Sequence, residues 1–276
     1  MPNPQKWPTC GNELKQYIFQ FCDLLEHSLG ELIIGIYLHG SLAMGSYYSP
    51  KSDMDIIAVI SQKLDAKHAD DLLFEIALFS ECRPTVGDIE FSVITLLSAH
   101  TVPNPMPYEI HYSSYWHDQI IKRAVHYNED QFDSDLFAHL TCLKKRGVCL
   151  IGMPIADVFG DVNWNDFMFA VLDDLKWILE DENILESPYY CILNICRVFQ
   201  LLVTKTQNSF SKDEGAMWGL TYFPPNFTSL IKAALMVYHS DAIIEEVNRK
   251  RGGVEWNHAN LLTFRDYARS LLKSLS

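Results

Sequence analysis

The sequence predicts an α/β (α+β) domain over residues 1–154, with a mixed β-sheet flanked by helices, followed by a helical bundle over residues 155–276. Three observations carry this division. In the first part, short β-branched runs at 33–38, 56–60 and 88–94 alternate with stretches of amphipathic helical spacing. Beyond residue 154 the apolar residues recur only at helical spacing, and strand-type alternation is absent. Between the two parts, Gly152-Met153-Pro154 is a turn signal.

Each element has its own local reason. Leu14, Ile18, Phe21, Leu24 and Leu25 put one apolar face on a helix over Asn12–Ser28. Ile33–Leu38 is strand-length and apolar, and it stops at Gly40-Ser41. A four-residue step leads to Gly45, and a Tyr/Ser/Pro-rich loop with a turn at Ser49-Pro50 follows. Ser52-Asp53-Met54-Asp55 then runs straight into a second strand, Ile56–Ile60. Ala66–Phe79 reads as a helix, and a loop holding Arg83-Pro84 leads to a third strand, Asp88–Ile94. Thr101–Pro107 is a loop, and Asp118–His126 reads as helical. Asp135–Gly147 is a helix with Lys144, Lys145 and Arg146 in its last turn and a glycine after it, which suits the helix dipole and a C-terminal cap. Val148–Ile151 is a short strand. Asn165–Glu180, Tyr189–Val203, Thr228–Arg251 and Asn257–Leu275 are apolar-periodic helices that make a small bundle.

Composition narrows the function. With 48% apolar and 21% charged residues, the 276-residue chain can bury a sizeable core as a soluble protein. No run of 18 apolar residues predicts a membrane span, and the first residues lack the continuous apolar stretch of a secretory signal. Seven cysteines, an odd number without a CxxC, fit free thiols in a reducing cytoplasm and argue against zinc. A net charge of −13 argues against nucleic-acid binding and favours cationic partners; Arg249-Lys250-Arg251 is the longest basic cluster.

The chemistry concentrates at Asp53 and Asp55. Residues i and i+2 of a strand share a face, roughly 6–7 Å apart. Two such carboxylates repel unless a cation sits between them. Mg²⁺ takes one or two carboxylates together with phosphate oxygens, and a Gly40-Ser41 turn offers backbone N–H groups to other phosphates. Glu90 alternates against Ile89 and Phe91, which predicts a third acid on the same sheet face. His111, His117 and His126 lack the spacing of a metal site. In the second part, Asp173 to Glu186 is strongly acidic, Arg197 lies within the apolar helix ILNICRVFQLLV, and Lys212 lies in a loop before Asp213-Glu214-Gly215. A cation amid apolar neighbours needs a buried anion, and a carboxylate and a phosphate meet that need equally.

GSLAMGSYYSPKSDMD resembles the signature of polymerase-β-type nucleotidyltransferases. The whole chain is similar to the aminoglycoside (3'')(9) adenylyltransferases, through LHGSLAMGS, SDMDIIAVI, DIEFSVI, Pro107-x-Glu109 before Trp116, SDLFAHLTCLKKRGVCLIGMP, ILNICRVF, SKDEGAMWGL and ALMVYHS. The resemblance implies a nucleotidyltransferase domain followed by a helical domain, ATP as co-substrate, two Mg²⁺ ions, and a cationic antibiotic, spectinomycin or streptomycin, as acceptor. It places the metal on Asp53, Asp55 and Glu90, with Glu90 also the general base. It places ATP on Gly40, Ser41, Ser52, Asp53, Asp55, Arg197, Lys212 and Tyr238, which favours phosphate as the anion for the two cations. Streptomycin-using members carry a tryptophan followed five residues later by an aspartate; Trp177 and Glu182 stand there, as substrate-binding residues. A cytoplasmic monomer is expected, with neither nucleic acid nor membrane as partner. The alternatives are a nucleotidyltransferase acting on another small metabolite and an antitoxin-like partner of a toxin protein.

Overall fold

The computed structural model describes residues 4–127, 130–180, 183–241 and 254–275. It divides into two compact units, Gln5–Phe167 and Met168–Ser276, the second taking in Met1–Pro4 as well, so that residues 155–167 group with the sheet.

In the first unit the elements run α1 (Asn12–Leu29), β1 (Ile33–Leu38), α2 (Gly40–Met44), β2 (Met54–Ile60), α3 (Ala66–Ser80), β3 (Ile89–Thr95), α4 (Leu96–Thr101), β4 (Pro107–Tyr108), β5 (Ile110–Tyr112), α5 (His117–Ile121), β6 (Gln131–Phe132), α6 (Leu136–Arg146), β7 (Val148–Gly152) and α7 (Ile155–Val158). Five strands form one mixed sheet in the order β5-β3-β2-β1-β7, and β4 pairs with β6 apart from it. β2 and β3 are parallel, joined by the crossover helix α3 that a parallel pair requires; their other neighbours are antiparallel.

Period-2 alternation decides the two faces of this sheet. Ile36, Leu38, Met54, Ile56, Ala58, Phe91 and Val93 pack with α1 and α3 into the main core. Phe21 of α1 anchors it, edge-on to Phe91 at 5.0 Å and tilted on Phe79 at 5.6 Å; truncating such a buried ring to alanine costs about 3–5 kcal/mol. The opposite face carries Tyr37, Asp55, Glu90, Ser92 and His111 by the same alternation.

The second unit is helical: most of α8 (Trp164–Leu179), then α9 (Asn183–Glu186), α10 (Pro188–Thr204), α11 (Lys212–Tyr222), α12 (Thr228–Tyr238) and α13 (His258–Leu275). α10 is buried almost all round. α11 crosses it at Gly215, where an added Cβ would come within 2.7 Å of the Arg197 Cα, so this approach requires glycine. Phe264 of α13 closes the unit against Phe223 at 5.3 Å and Phe227 at 5.0 Å. Among the described residues no helix is long and apolar enough to cross a membrane.

Three expected elements differ. The helix over Asp118–His126 is the short α5, because Arg123 adopts φ 51° and is held over the Phe74 ring and to Asp71, while His126 binds Asp70 at 2.9 Å. The helix that opens at Thr228 ends at Tyr238, where His239 turns its ring to Asp213; the rest of the expected helix, 242–251, lies outside the described residues. Lys212 opens helix α11 instead of lying in a loop. Ser211 and Glu214 form a reciprocal capping box there, a Ser-x-x-Glu signal present in the sequence.

Candidate active site

β1 ends just before His39, whose backbone N–H donates to the Asp55 carbonyl at 2.9 Å. The chain then turns through α2, a single helical turn closed by Gly45 at φ 83°. Gly40 has φ 62°, and a Cβ there would lie 1.8 Å from Asp55 Oδ2. Only glycine fits both the backbone angle and the carboxylate pressed against it. Ser41 follows with its Oγ buried and, among the described residues, without a hydrogen-bond partner. Ser52 is buried, and its Oγ accepts the Tyr48 N–H at 3.1 Å, which ties the 48–52 turn.

Asp53 stands immediately before β2 and Asp55 is its second residue; Asp53 Oδ1 accepts the Asp88 N–H, while Asp55 Oδ2 lies against Gly40. Glu90 is the register partner of Asp55 on the adjacent parallel strand. All three are half-buried. Among the described residues, no three His, Cys, Asp or Glu side chains converge closely enough to cage an ion by themselves. The donor set instead fits Mg²⁺ in its usual protein form, in which one or two carboxylates act together with the oxygens of a phosphate ligand. The orphaned Ser41 Oγ suits such a ligand.

Sequence reasoning missed three polar neighbours on this sheet. Asp88, one residue ahead of β3, gives its backbone N–H to Asp53 Oδ1 at 2.9 Å. Burial pushes its own carboxyl above the ordinary value, against the pull of the Ile89 N–H and of Arg83. His111 lies across from Ser92 on β5, with Nδ1 3.1 Å from the serine Oγ. Burial lowers its pKa while the charge of Glu90 works the other way. His39 is fully enclosed and its pKa lies well below the usual value, first through burial and then through His139 on α6, at a ring distance of 5.0 Å. His39 and Asp88 lie just outside their strands, and neither the pairing of β5 with β3 nor the approach of α6 is a local signal.

In the helical unit the structure brings several assigned residues together. Lys212 places its ammonium over the rings of Tyr190, at 5.0 Å, and Tyr238, at 5.4 Å. Trp177, exposed by 44%, meets the edge of Tyr190 at 6.5 Å. Arg197 faces out of α10 half-buried and, among the described residues, makes no ion pair or side-chain hydrogen bond. Asn194, one turn away and fully buried, leaves its Oδ1 without a partner among the described residues. Tyr190, the ring shared by Trp177 and Lys212, had no local signal. Glu182 lies outside the described residues.

Residues 157–263 match the family described as aminoglycoside adenylyltransferase, C-terminal domain. Over these residues the helical part of the chain is similar to such a domain. The family resemblance read from the sequence is thereby borne out. Over its wider length the chain is 25% identical to a spectinomycin 9-adenylyltransferase from Campylobacter jejuni, covering 82% of this chain and 86% of the relative. It is 21% identical to one from Enterococcus faecalis, covering 91% and 93%. The fold matches that of an Enterococcus spectinomycin adenyltransferase solved with ATP and spectinomycin, with a TM-score of 0.75, 20% identity, and coverage of 94% of this chain and 99% of that one. The chain thus has the fold of that enzyme over nearly its whole length, and its residues 157–263 resemble an aminoglycoside adenylyltransferase C-terminal domain.

Proposed function

We propose that this chain transfers AMP from ATP to a hydroxyl of an aminocyclitol antibiotic, with spectinomycin as its acceptor. The observation that carries this reading is the register pairing of Glu90 with Asp55, whose own carboxylate lies against the Gly40-Ser41 turn. The spectinomycin adenylyltransferases among its relatives support the choice of acceptor.

An alcohol is too weak an acid to ionise near neutral pH, so it needs a positioned base; Glu90 takes its proton. The alcohol oxygen then bonds to the α-phosphorus of ATP, and the bond to pyrophosphate breaks. Asp53 and Asp55 would hold Mg²⁺, which when bound neutralises the triphosphate and acts as a Lewis acid on it. Ser41 Oγ has an unused hydrogen-bonding capacity for a phosphate oxygen. The helical unit offers Arg197 and Lys212 as cations for the triphosphate, and Tyr238 beside Lys212. The acidic balance of the chain, −13 overall, favours a cationic acceptor.

The test is direct. Protein, Mg·ATP and spectinomycin are incubated, and the drug is weighed by mass spectrometry. A drug heavier by one AMP moiety, with pyrophosphate released, is the expected result. Unmodified spectinomycin and streptomycin, with ATP still bound, would move the acceptor to another small metabolite.

A further inference from the structure

We propose that Asp88 is a positioning residue for Asp53, acting with Arg83 and Tyr112 from the core side of the sheet. The inference rests on the proposed reading of Asp53 as a metal-binding carboxylate.

The parallel ladder between β2 and β3 begins in an unusual way. The Met54 N–H donates to the Asp88 carbonyl at 2.8 Å, while the Asp88 N–H donates to the side chain of Asp53, at 2.9 Å from Oδ1. The carboxylate of Asp53 thus stands where a strand carbonyl would, and its direction depends on where the backbone of residue 88 lies.

That backbone is held by the buried side chain of Asp88, which is 4% exposed. Its Oδ1 accepts the Ile89 N–H at 2.8 Å. Its Oδ2 lies 3.7 Å from the Arg83 guanidinium and 3.5 Å from the Tyr112 hydroxyl. Both partners are themselves anchored. Arg83 donates to the Ser80 carbonyl at 3.0 Å. The Tyr112 hydroxyl donates to Ser80 Oγ at 2.6 Å and lies 3.1 Å from His117 Nδ1. Gly87 presses on the same spot, since a Cβ there would come within 1.8 Å of the Ser52 carbonyl oxygen.

A carboxylate is an expensive group to bury, and an apolar side chain before β3 would fill the position without that cost. What the carboxylate adds is a fixed backbone at residue 88, and from that backbone the Asp53 carboxylate hangs. Partners that orient a metal ligand in this way typically change metal affinity about 10–100-fold when removed.

The test uses the full chain with Asp88→Ala, Asp88→Asn and Arg83→Met. ATP-dependent Mn²⁺ binding is read by electron paramagnetic resonance, and ATP affinity at saturating Mn²⁺ by calorimetry. In Asp88→Ala the half-saturating Mn²⁺ concentration should rise about 10–100-fold, with ATP affinity at saturating metal unchanged. Asp88→Asn, which keeps the acceptor for the Ile89 N–H, should recover most of the loss; a general packing defect would not separate the two variants. Should Asp88→Ala fail to fold, Arg83→Met carries the test by raising the Mn²⁺ requirement. Wild-type Mn²⁺ binding in folded Asp88→Ala or in folded Arg83→Met overturns the proposal alone. A wild-type protein that binds no Mn²⁺ with ATP overturns the reading of the metal site and this proposal with it.

Discussion

Asp55 and Glu90 are register partners on adjacent parallel strands, facing the same side of the sheet. Their roles in the proposed reaction separate cleanly. Glu90→Gln keeps the shape and the hydrogen-bonding capacity but cannot take a proton. The expected outcome is a loss of AMP transfer of about 10²–10⁴-fold, with ATP binding largely kept. Turnover measured beside calorimetric ATP titration checks it; near wild-type turnover would remove Glu90 from the base role.

Gly40→Ala tests the other side of Asp55. The substitution forces a side chain into φ 62° and places its Cβ on Asp55 Oδ2. The left-handed backbone alone costs about 1–2 kcal/mol. The protein should melt several degrees lower and lose the stabilisation that Mg·ATP gives, and chelation of Mg²⁺ should abolish the same stabilisation in the wild type. An unaltered Mg·ATP shift in Gly40→Ala would mean that Asp55 is not a ligand.

The open alternative at Arg197, a structural ion pair or a phosphate contact, also has a measurable answer. Breaking a buried ion pair typically costs about 3–5 kcal/mol. Arg197 has no carboxylate partner among the described residues, so Arg197→Met should melt close to wild type. Hydrogen bonds to charged groups contribute about 1.5–3 kcal/mol, so ATP should bind roughly 10–150-fold more weakly. A destabilised variant with normal ATP affinity would restore the ion-pair reading.

Much of this site was legible because it is local. Asp55 and Glu90 share a face because their two parallel strands alternate in phase. The parts that could not be read depend on tertiary approach. Helix α5 stops at Ile121 because Asp70, Asp71 and Phe74 of α3 capture the segment after it. Asp88 and His111 acquire their places from strand pairing and from loop packing, which leave no periodic trace. The opening of α11 is different in kind: Ser211-x-x-Glu214 stood in the sequence as a capping box, and the nearby Gly215 masked it as a loop signal.

Glu109 gives a pH prediction. Its carboxyl is raised above the ordinary value by burial, opposed by the Leu64 N–H, 3.1 Å from Oε2, and by Lys63. A raised carboxyl binds its proton more tightly in the folded state. Its ionisation therefore lowers stability as pH rises through the folded value, and that loss is absent below the unfolded value. Glu109→Gln keeps the acceptor for Leu64 and cannot ionise. It should melt slightly higher than wild type at neutral pH and no higher at pH values near 4, as read by parallel thermal melts. The gain should be a few tenths of a kcal/mol, because the group is only partly shielded from water. An equal gain at both pH values would assign the effect to packing instead.

Trp177 tests the choice of drug. Its ring is exposed by 44% and braced edge-on by Tyr190, which in turn lies under the Lys212 ammonium. An exposed, oriented indole face is suited to a flat cation. Streptomycin carries two guanidinium groups, whereas spectinomycin is compact and carries secondary amines. A guanidinium over an indole contributes about 0.5–2 kcal/mol, so Trp177→Ala should weaken streptomycin use by roughly 2–30-fold, if the wild type uses it, and leave spectinomycin nearly untouched. Glu182→Ala should act in the same direction, since a carboxylate pairs with a guanidinium through two parallel hydrogen bonds. Glu182 is one methylene longer than the aspartate that the family resemblance leads one to expect for streptomycin use, and bidentate pairing is sensitive to placement, so spectinomycin is the expected acceptor of the two. Rates of AMP transfer to each drug by wild type and both variants decide this. Equal loss of both drugs would make these residues supports of the fold, and selective loss of streptomycin would make them its recognition surface.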